Sequence, residues 1–157
     1  METEYPIDQK PDNTYQLTLD IVKELWTKTY NTSGKPDWSH ILPYYDDEIH
    51  FRDSIQELKG MTAFKAMTER LTKRSKDLKM RLVNAFQQNN DIFIEWEMTI
   101  SYKRYPSSVL HGASRLTVNE KGKIIQQRDY YDLWGDIFDN IPRFGKMYRR
   151  FMKRKFG

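Results

Sequence analysis

The segment 78–131 changes the spacing of its apolar residues from a helical period to a period of two. Four parts of it alternate between apolar and polar side chains, which is typical of half-buried strands: 78–86, 91–102, 108–118 and 123–131. Turns rich in Asn and Gly separate the first two and the last two of these. The sequence therefore predicts four consecutive antiparallel strands of one sheet.

Before this meander the apolar residues recur at helical spacing, and three helices are predicted. The first covers about 14–30, with a cap at its start, the second begins at residue 36, and the third follows Gly60. A short strand is predicted at 49–53. Helices followed by a meander indicate an α+β domain in which the helices pack on one face of the sheet.

Composition excludes several classes of protein. Aromatic residues make up 14% of the 157 residues, too many for a disordered chain. The absence of Cys excludes a disulfide framework and a thiolate metal site. No apolar run approaches the roughly 20 residues that cross a bilayer, and no signal-peptide core is visible. We therefore expect one soluble, cytoplasmic domain that uses neither a metal nor a cofactor.

The positive charge is concentrated at the C-terminus. Residues 143–157 contain seven Lys and Arg and no acid, whereas the other 142 residues carry 19 Lys and Arg against 22 Asp and Glu. The apolar residues of this tail recur at helical spacing, which predicts a basic amphipathic helix. Such a helix either packs on its own domain or lies on an anionic membrane surface. Nucleic acid is not expected as a partner, because the body has no basic surplus.

The predicted strand 91–102 has an apolar row that includes Trp96 and a polar row that includes Glu95 and Glu97. The polar row either faces water or lines a cavity beneath the helices, in which case the apolar row faces a partner subunit. Alternation alone does not distinguish these arrangements, because it does not tell which face is covered.

Three segments resemble the SnoaL-like family of the nuclear transport factor 2-like superfamily, whose relatives include limonene epoxide hydrolase and ketosteroid isomerase. They read YYDDEIHFRD at 44–53, followed by Gly60, HGASRLTVNEKGKI at 111–124 and QRDYYD at 127–132. The resemblance implies a cone-shaped, curved antiparallel sheet wrapped by the three N-terminal helices around a pocket. The basic C-terminal helix predicted from the spacing is an addition to this cone.

The residues and the resemblance together divide the chain into three parts. A polar leader at 1–13, expected to be flexible, precedes the SnoaL-like domain that the resemblance places at 14–135, and the basic amphipathic extension follows at 136–157. A homodimer through the outer sheet face is expected. On this basis the row of Glu95 and Glu97 lines the pocket, and the row of Trp96 faces the partner.

Three carboxylates are the catalytic candidates that the resemblance implies. Asp53 falls where ketosteroid isomerases keep their general base, Asp129 where limonene epoxide hydrolase keeps its proton donor, and Glu97 near the second Asp of that hydrolase. Carboxyl groups enclosed among apolar side chains have raised pKa values, which suits them to acid–base chemistry near neutral pH. The expected ligand-binding residues are Trp26, Tyr30, Phe51, Glu95, Ser114, Tyr131 and Trp134.

Each candidate also has a structural alternative. Asp53 precedes a loop and could cap a turn, and Asp129 could form a surface ion pair with Arg128. Glu97 could pair with a basic residue of a neighbouring strand. By strand alternation, Arg128 faces away from Asp129.

Neither relative's full catalytic set is present. Thr29 and Ser114 stand where the isomerase has the Tyr and the protonated Asp of its oxyanion hole, and Glu95 replaces an Arg of the hydrolase. Steroid isomerisation and epoxide hydrolysis are therefore not expected. The remaining hypothesis is a cofactor-independent isomerase, cyclase or hydratase acting on a small apolar or lipid-like molecule. The alternative is a non-catalytic ligand-binding or scaffold domain whose tail, 143–157, docks on a membrane surface or a partner protein.

Overall fold

The computed structural model describes residues 15–30, 34–104 and 106–157. Its α-helices are α1 (Leu19–Tyr30), α2 (Met61–Arg74) and α3 (Phe144–Phe156). Its strands are β1 (Tyr45–Arg52), β2 (Glu57–Lys59), β3 (Ser75–Gln88), β4 (Asp91–Tyr102), β5 (Ser108–Val118) and β6 (Ile124–Tyr131). The leader predicted at 1–13 and the predicted cap of the first helix lie outside the described residues.

The strands form one curved, unclosed sheet in the order β2-β1-β6-β5-β4-β3. The meander β3 to β6 is antiparallel, as predicted, and β4 and β5 have the predicted bounds. The expectation of a fully antiparallel sheet is wrong, because β1 pairs with β6 in parallel. A parallel pair needs a long connection, and here α2 and the first three strands of the meander supply it. The short strand β2, which the sequence did not predict, forms a hairpin with β1.

The helices α1 and α2 cover the inner face of the sheet. Phe64 of α2 packs against Tyr45 and Phe51 of β1, with ring centroids 4.6 and 5.5 Å away. Val22 and Trp26 of α1 are buried at 0% and 2% exposure. The α+β cone expected from the sequence is therefore confirmed.

The inner face of β4 is the apolar row. Its five side chains are all at most 8% exposed: Ile92, Ile94, Trp96, Met98 and Ile100. The expectation that this row faces a partner subunit, with the Glu95 and Glu97 row in the pocket, is wrong. The helices cover the apolar row because that burial removes the larger apolar area from water.

Two of the three predicted helices differ in detail. α1 begins at Leu19 rather than near residue 14, because Leu17 is buried and its backbone N–H bonds to the carbonyl of Gly122. The hydroxyl of Thr18 then accepts from the N–H of Ile21 and caps the first turn. The second helix is reduced to two 3₁₀ turns, at Trp38–His40 and Leu42–Tyr44.

After β6 the chain turns back toward α3. The Asp132 carboxylate caps this turn by accepting from the backbone N–H groups of Trp134 and Gly135. A π-helical turn and a 3₁₀ turn follow, and α3 confirms the predicted C-terminal helix.

Gly112 of β5 is the register partner of Trp96 on β4, and the indole packs directly against it. A Cβ atom there would lie 2.4 Å from the indole of Trp96 and 2.8 Å from the carbonyl oxygen of Tyr130. Because Gly112 has no side chain, the indole of Trp96 can lie across β5.

We therefore expect Gly112→Ala to lower the free energy of unfolding by about 2–4 kcal/mol, because the added methyl group must displace the indole or the backbone. Urea denaturation measures this. Ala113→Ser, on the opposite face of β5, is the control and should cost less than about 1 kcal/mol. Equal effects of the two variants would contradict the close approach.

Candidate functional site

A cavity of about 400 Å³ lies between the inner sheet face and the helices. Its wall is mostly apolar and aromatic, and its lining includes Trp26, Tyr30, Trp38, Phe51, Phe64, Trp96, Met98 and Leu110. Two carboxylates, Asp53 and Asp129, also line it. A concave apolar site with a few polar groups is the usual form of a small-molecule site.

Asp129 projects from β6 toward the cavity, opposite Ser114 of β5. Its Oδ1 accepts two hydrogen bonds, from the hydroxyl of Ser114 at 2.6 Å and from Nε2 of Gln127 at 2.9 Å. Within the described residues, its Oδ2 has no hydrogen-bond partner. One oxygen is therefore held in place, and the other remains available to a ligand.

The two donors to Asp129 are themselves oriented by buried groups. Trp96 donates its indole N–H to the hydroxyl oxygen of Ser114 at 2.9 Å, which leaves the Ser114 proton for Asp129. The hydroxyl of Tyr45 donates to Oε1 of Gln127 at 2.5 Å, which turns the Gln127 amide N–H toward Asp129. All four of these supporting side chains are at most 8% exposed.

Burial raises the pKa of Asp129 to about 6. The hydrogen bonds from Ser114 and Gln127 oppose this shift, the charge of Asp53 adds to it, and Arg128 lowers the pKa. Loss of hydration therefore outweighs two hydrogen bonds that favour the carboxylate. A carboxyl group with a pKa near 6 can both take and return a proton at neutral pH.

Asp53 lies in the cavity wall, but both of its oxygens are occupied. Oδ1 accepts from the backbone N–H groups of Ile55 and Gln56, each at 2.8 Å, and Oδ2 accepts from the hydroxyl of Tyr131 at 3.3 Å. This is the turn cap that the sequence allowed as an alternative. Asp53 thereby fixes the loop after β1 and orients Tyr131.

Tyr30 and Thr29 have different positions at the end of α1. Tyr30 lines the cavity, and burial together with the negative charge of Asp129 raises its pKa, so that its hydroxyl stays protonated. Thr29 is fully buried, and its hydroxyl has no hydrogen-bond partner in the described part of the chain. The potential proton donor on this helix is therefore Tyr30, one residue after the position that the family resemblance indicated.

Three of the expected site residues lie elsewhere. Glu95 and Glu97 project from the outer face of β4, where Glu97 pairs with Arg81 at 2.6 Å. Trp134 is 47% exposed and stacks on Tyr148 of α3 at 5.0 Å. Placing these three residues in the pocket was wrong, since strand alternation and the helical turn after β6 direct them away from it.

The other expected residues do line the cavity: Asp53, Asp129, Trp26, Tyr30, Phe51, Ser114 and Tyr131. Sequence reasoning missed Trp96, Tyr45 and Gln127 as supports of Asp129. Gln127 had a usable signal, because it lies two positions before Asp129 in the same strand and both side chains therefore face the same side.

The outer face of the sheet carries a row of arginines. Arg52, Arg128 and Arg115 are register partners on β1, β6 and β5, and they border a cleft on that face. Arg128 lies over the ring of Tyr130 at 5.1 Å and faces away from Asp129, as predicted.

Within the described residues, no group of three or more His, Asp or Glu side chains is placed to hold a metal ion. In the same ranges, no helix is long and apolar enough to cross a bilayer.

The sequence profile of the SnoaL-like domain matches residues 26–127. The match covers more than half of the chain, from the middle of α1 into β6, so the protein belongs to the SnoaL-like domain family. No curated protein matches the sequence.

Solved structures with the same fold are distant in sequence. A protein from Catenulispora acidiphila with a ketosteroid isomerase-like fold, in complex with trimethylamine, has a TM-score of 0.66 at 15% identity, covering 80% of this chain and 94% of that one. A limonene epoxide hydrolase-like enzyme from M. tuberculosis has a TM-score of 0.63 at 14% identity, covering 84% and 94%. A provisionally assigned SnoaL-like polyketide cyclase from Jannaschia sp. has a TM-score of 0.65 at 14% identity, covering 88% and 99%. At these identities the likeness shows the fold, which hosts different activities.

Replacing Asp129 by Asn should stabilise the folded protein at pH 8 but not at pH 4. An unfolded Asp ionises near pH 3.9, whereas the pKa of Asp129 in the folded protein is about 6. The folded state binds the proton more tightly, so wild-type stability falls as the pH rises from about 4 to about 6 and stays lower above that. Asn does not ionise, and the variant should therefore gain about 1–3 kcal/mol at pH 8.

Urea denaturation at the two pH values measures this difference. Glu95→Gln is the control, because Glu95 is exposed on the outer face and should show no comparable gain. A loss of stability in Asp129→Asn at pH 8 as large as at pH 4 would show that the pKa is not raised.

Proposed function

We propose that the protein binds a small apolar carbonyl compound in its cavity and catalyses proton transfer on it without a cofactor, as an isomerase or cyclase. The observation that carries this proposal is the state of Asp129. Its pKa is about 6, one of its oxygens is held by Ser114 and Gln127, and the other has no partner among the described residues.

The proposed chemistry uses Oδ2 of Asp129 as the base. It takes a proton from the carbon beside the ligand's carbonyl group. The electron pair of the broken C–H bond is delocalised onto the carbonyl oxygen, and the ligand becomes an enolate. The resulting carboxylic acid then gives the proton back at a different carbon. No electrons are lost overall, so the step needs no oxidant or reductant.

Tyr30 is the proposed donor to the enolate oxygen. Its raised pKa keeps the hydroxyl protonated, and its side chain lines the same cavity as Asp129. A hydrogen bond from a desolvated donor to the developing negative charge is among the larger contributions to catalysis. Tyr131 is less suited to this role, because its proton is directed to Asp53.

The polar groups of the cavity do not favour hydration by a pair of carboxylates. Asp53 is occupied as a turn cap and Glu97 lies on the outer face, so Asp129 is the one expected catalytic carboxylate with a free oxygen in the described cavity. The presence of a single free carboxylate in an apolar cavity also supports a second candidate function. In that case the protein binds its ligand without changing it.

Benzoylacetone, an aryl 1,3-diketone small enough for the cavity, distinguishes the two. Binding is measured by quenching of tryptophan fluorescence, and proton exchange at the carbon between the carbonyls is measured by NMR in D₂O. We expect exchange above the buffer rate, rising with pH through an apparent pKa of about 6.

The variants Asp129→Asn and Tyr30→Phe test the assigned roles. Asp129→Asn should lower the exchange rate by about 100-fold or more with little loss of binding, and Tyr30→Phe by about 10- to 100-fold. Glu97→Gln, on the outer face, should exchange like the wild type. Binding without exchange in the wild type would contradict catalysis and favour the binding protein.

The homodimer through the outer sheet face and the cytoplasmic location stay predictions. Analytical ultracentrifugation measures whether a homodimer forms, and its loss on Glu97→Arg, a substitution on the outer face, would locate the interface there.

A further inference from the structure

The C-terminal helix α3 is the most positively charged element of the chain. Residues 143–157 contain seven Lys and Arg and no Asp or Glu. Arg149 forms a two-pronged ion pair with Asp139, with N–O distances of 2.5 and 2.6 Å. In the described part of the chain, no other basic side chain of α3 has an acidic partner.

One side of α3 is attached to the domain. Gly145 is buried so closely against Asp139 that a Cβ atom would lie 2.0 Å from its carbonyl oxygen. Tyr148 stacks on Trp134 at 5.0 Å, and Phe144 contacts Phe138 at 5.8 Å. The helix therefore has a fixed orientation, and the side that it turns outward is determined.

The outward side combines apolar and basic residues. Met147 is 63% exposed and Phe151 is 51% exposed, and since they are four residues apart they lie on one face. Arg150 and Arg154 follow them by three residues each, so they lie beside them on the same face. Phe156 at the end of the helix is 76% exposed.

We propose that this outward face of α3 docks the protein on an anionic membrane surface. Met147 and Phe151 would enter the boundary between headgroups and acyl chains, while the long side chains of Arg150 and Arg154 reach lipid phosphates and carboxylates. Unpaired positive charge complements the negative surface of such a bilayer.

A bilayer fits these observations better than an acidic protein groove. A helix that binds in a groove buries one continuous apolar stripe, whereas here Phe144 and Tyr148 of that stripe are already packed on the domain. What remains is a small apolar patch surrounded by cations, which suits shallow, reversible insertion.

The test is co-sedimentation of the full chain with vesicles of phosphatidylcholine alone and with about 30% phosphatidylserine, at about 50 mM and about 500 mM NaCl. We expect at least about tenfold stronger partitioning onto the anionic vesicles at low salt, and most of that gain to be lost at high salt.

Two variants of the exposed face locate the contact. Arg150→Gln/Arg154→Gln and Met147→Ser/Phe151→Ser should each weaken partitioning by about tenfold. The matched control is Lys23→Gln/Lys28→Gln, which removes two exposed positive charges from α1 and should change partitioning by less than about twofold. The thermal unfolding midpoint of each variant shows whether it is folded. If one of the two tail variants does not fold, the partitioning of the other tests the proposal.

Equal partitioning of the wild type on the two vesicle types would overturn the proposal. Wild-type partitioning of the folded tail variants, or an equal loss in the α1 control, would also overturn it. The last comparison is with polyglutamate, a soluble acidic polymer. The proposal would be overturned if the protein bound polyglutamate as tightly as anionic vesicles and if Met147→Ser/Phe151→Ser weakened neither interaction. That result would identify an acidic polymer as the partner.

Discussion

The site depends on a carboxyl group that is held in position and deprived of water at the same time. Ser114 and Gln127 donate to one oxygen of Asp129, and these hydrogen bonds favour the ionised form. Burial favours the neutral form more strongly, so the pKa is about 6 rather than that of an exposed Asp. Without burial the group would be a weak base, and without the two donors it would have no fixed orientation.

The rest of the domain supports this arrangement from a distance. The apolar row of β4 brings Trp96 across Gly112 to donate to Ser114, and β1 brings Tyr45 to Gln127. The contact between Tyr45 and Gln127 depends on the parallel pairing of β1 with β6, because this pairing places the start of β1 beside the strand that carries Asp129. The curvature of the sheet and the covering helices then leave a cavity in front of the free oxygen.

Much of the fold could be predicted from the sequence, because alternation and helical spacing are local signals. They located β4 and β5 within their bounds and identified α2 and α3. The pairing of β1 with β6 joins residues about 75 positions apart, as in Phe51 with Gln127, and no local pattern reports such a contact.

The site was predicted less completely, for two physical reasons. The alternation in β4 shows two rows but not which one the helices cover, and the family resemblance led to the wrong choice for Glu95 and Glu97. Asp53 shows the second reason: whether a carboxylate is free or caps a turn depends on the course of the backbone after it. Asp129 and Ser114 were identified correctly as cavity residues because a motif, not an orientation, indicated them.

The most direct test of this account is the ionisation of Asp129 itself. Proteins labelled with ¹³C at the Asp side-chain carboxyl carbon are titrated by NMR, and the signal missing from Asp129→Asn gives the assignment. We predict a midpoint near pH 6 for Asp129. A midpoint below about 4, the value of an exposed Asp, would show that the carboxyl is hydrated, and it would contradict the proposed base.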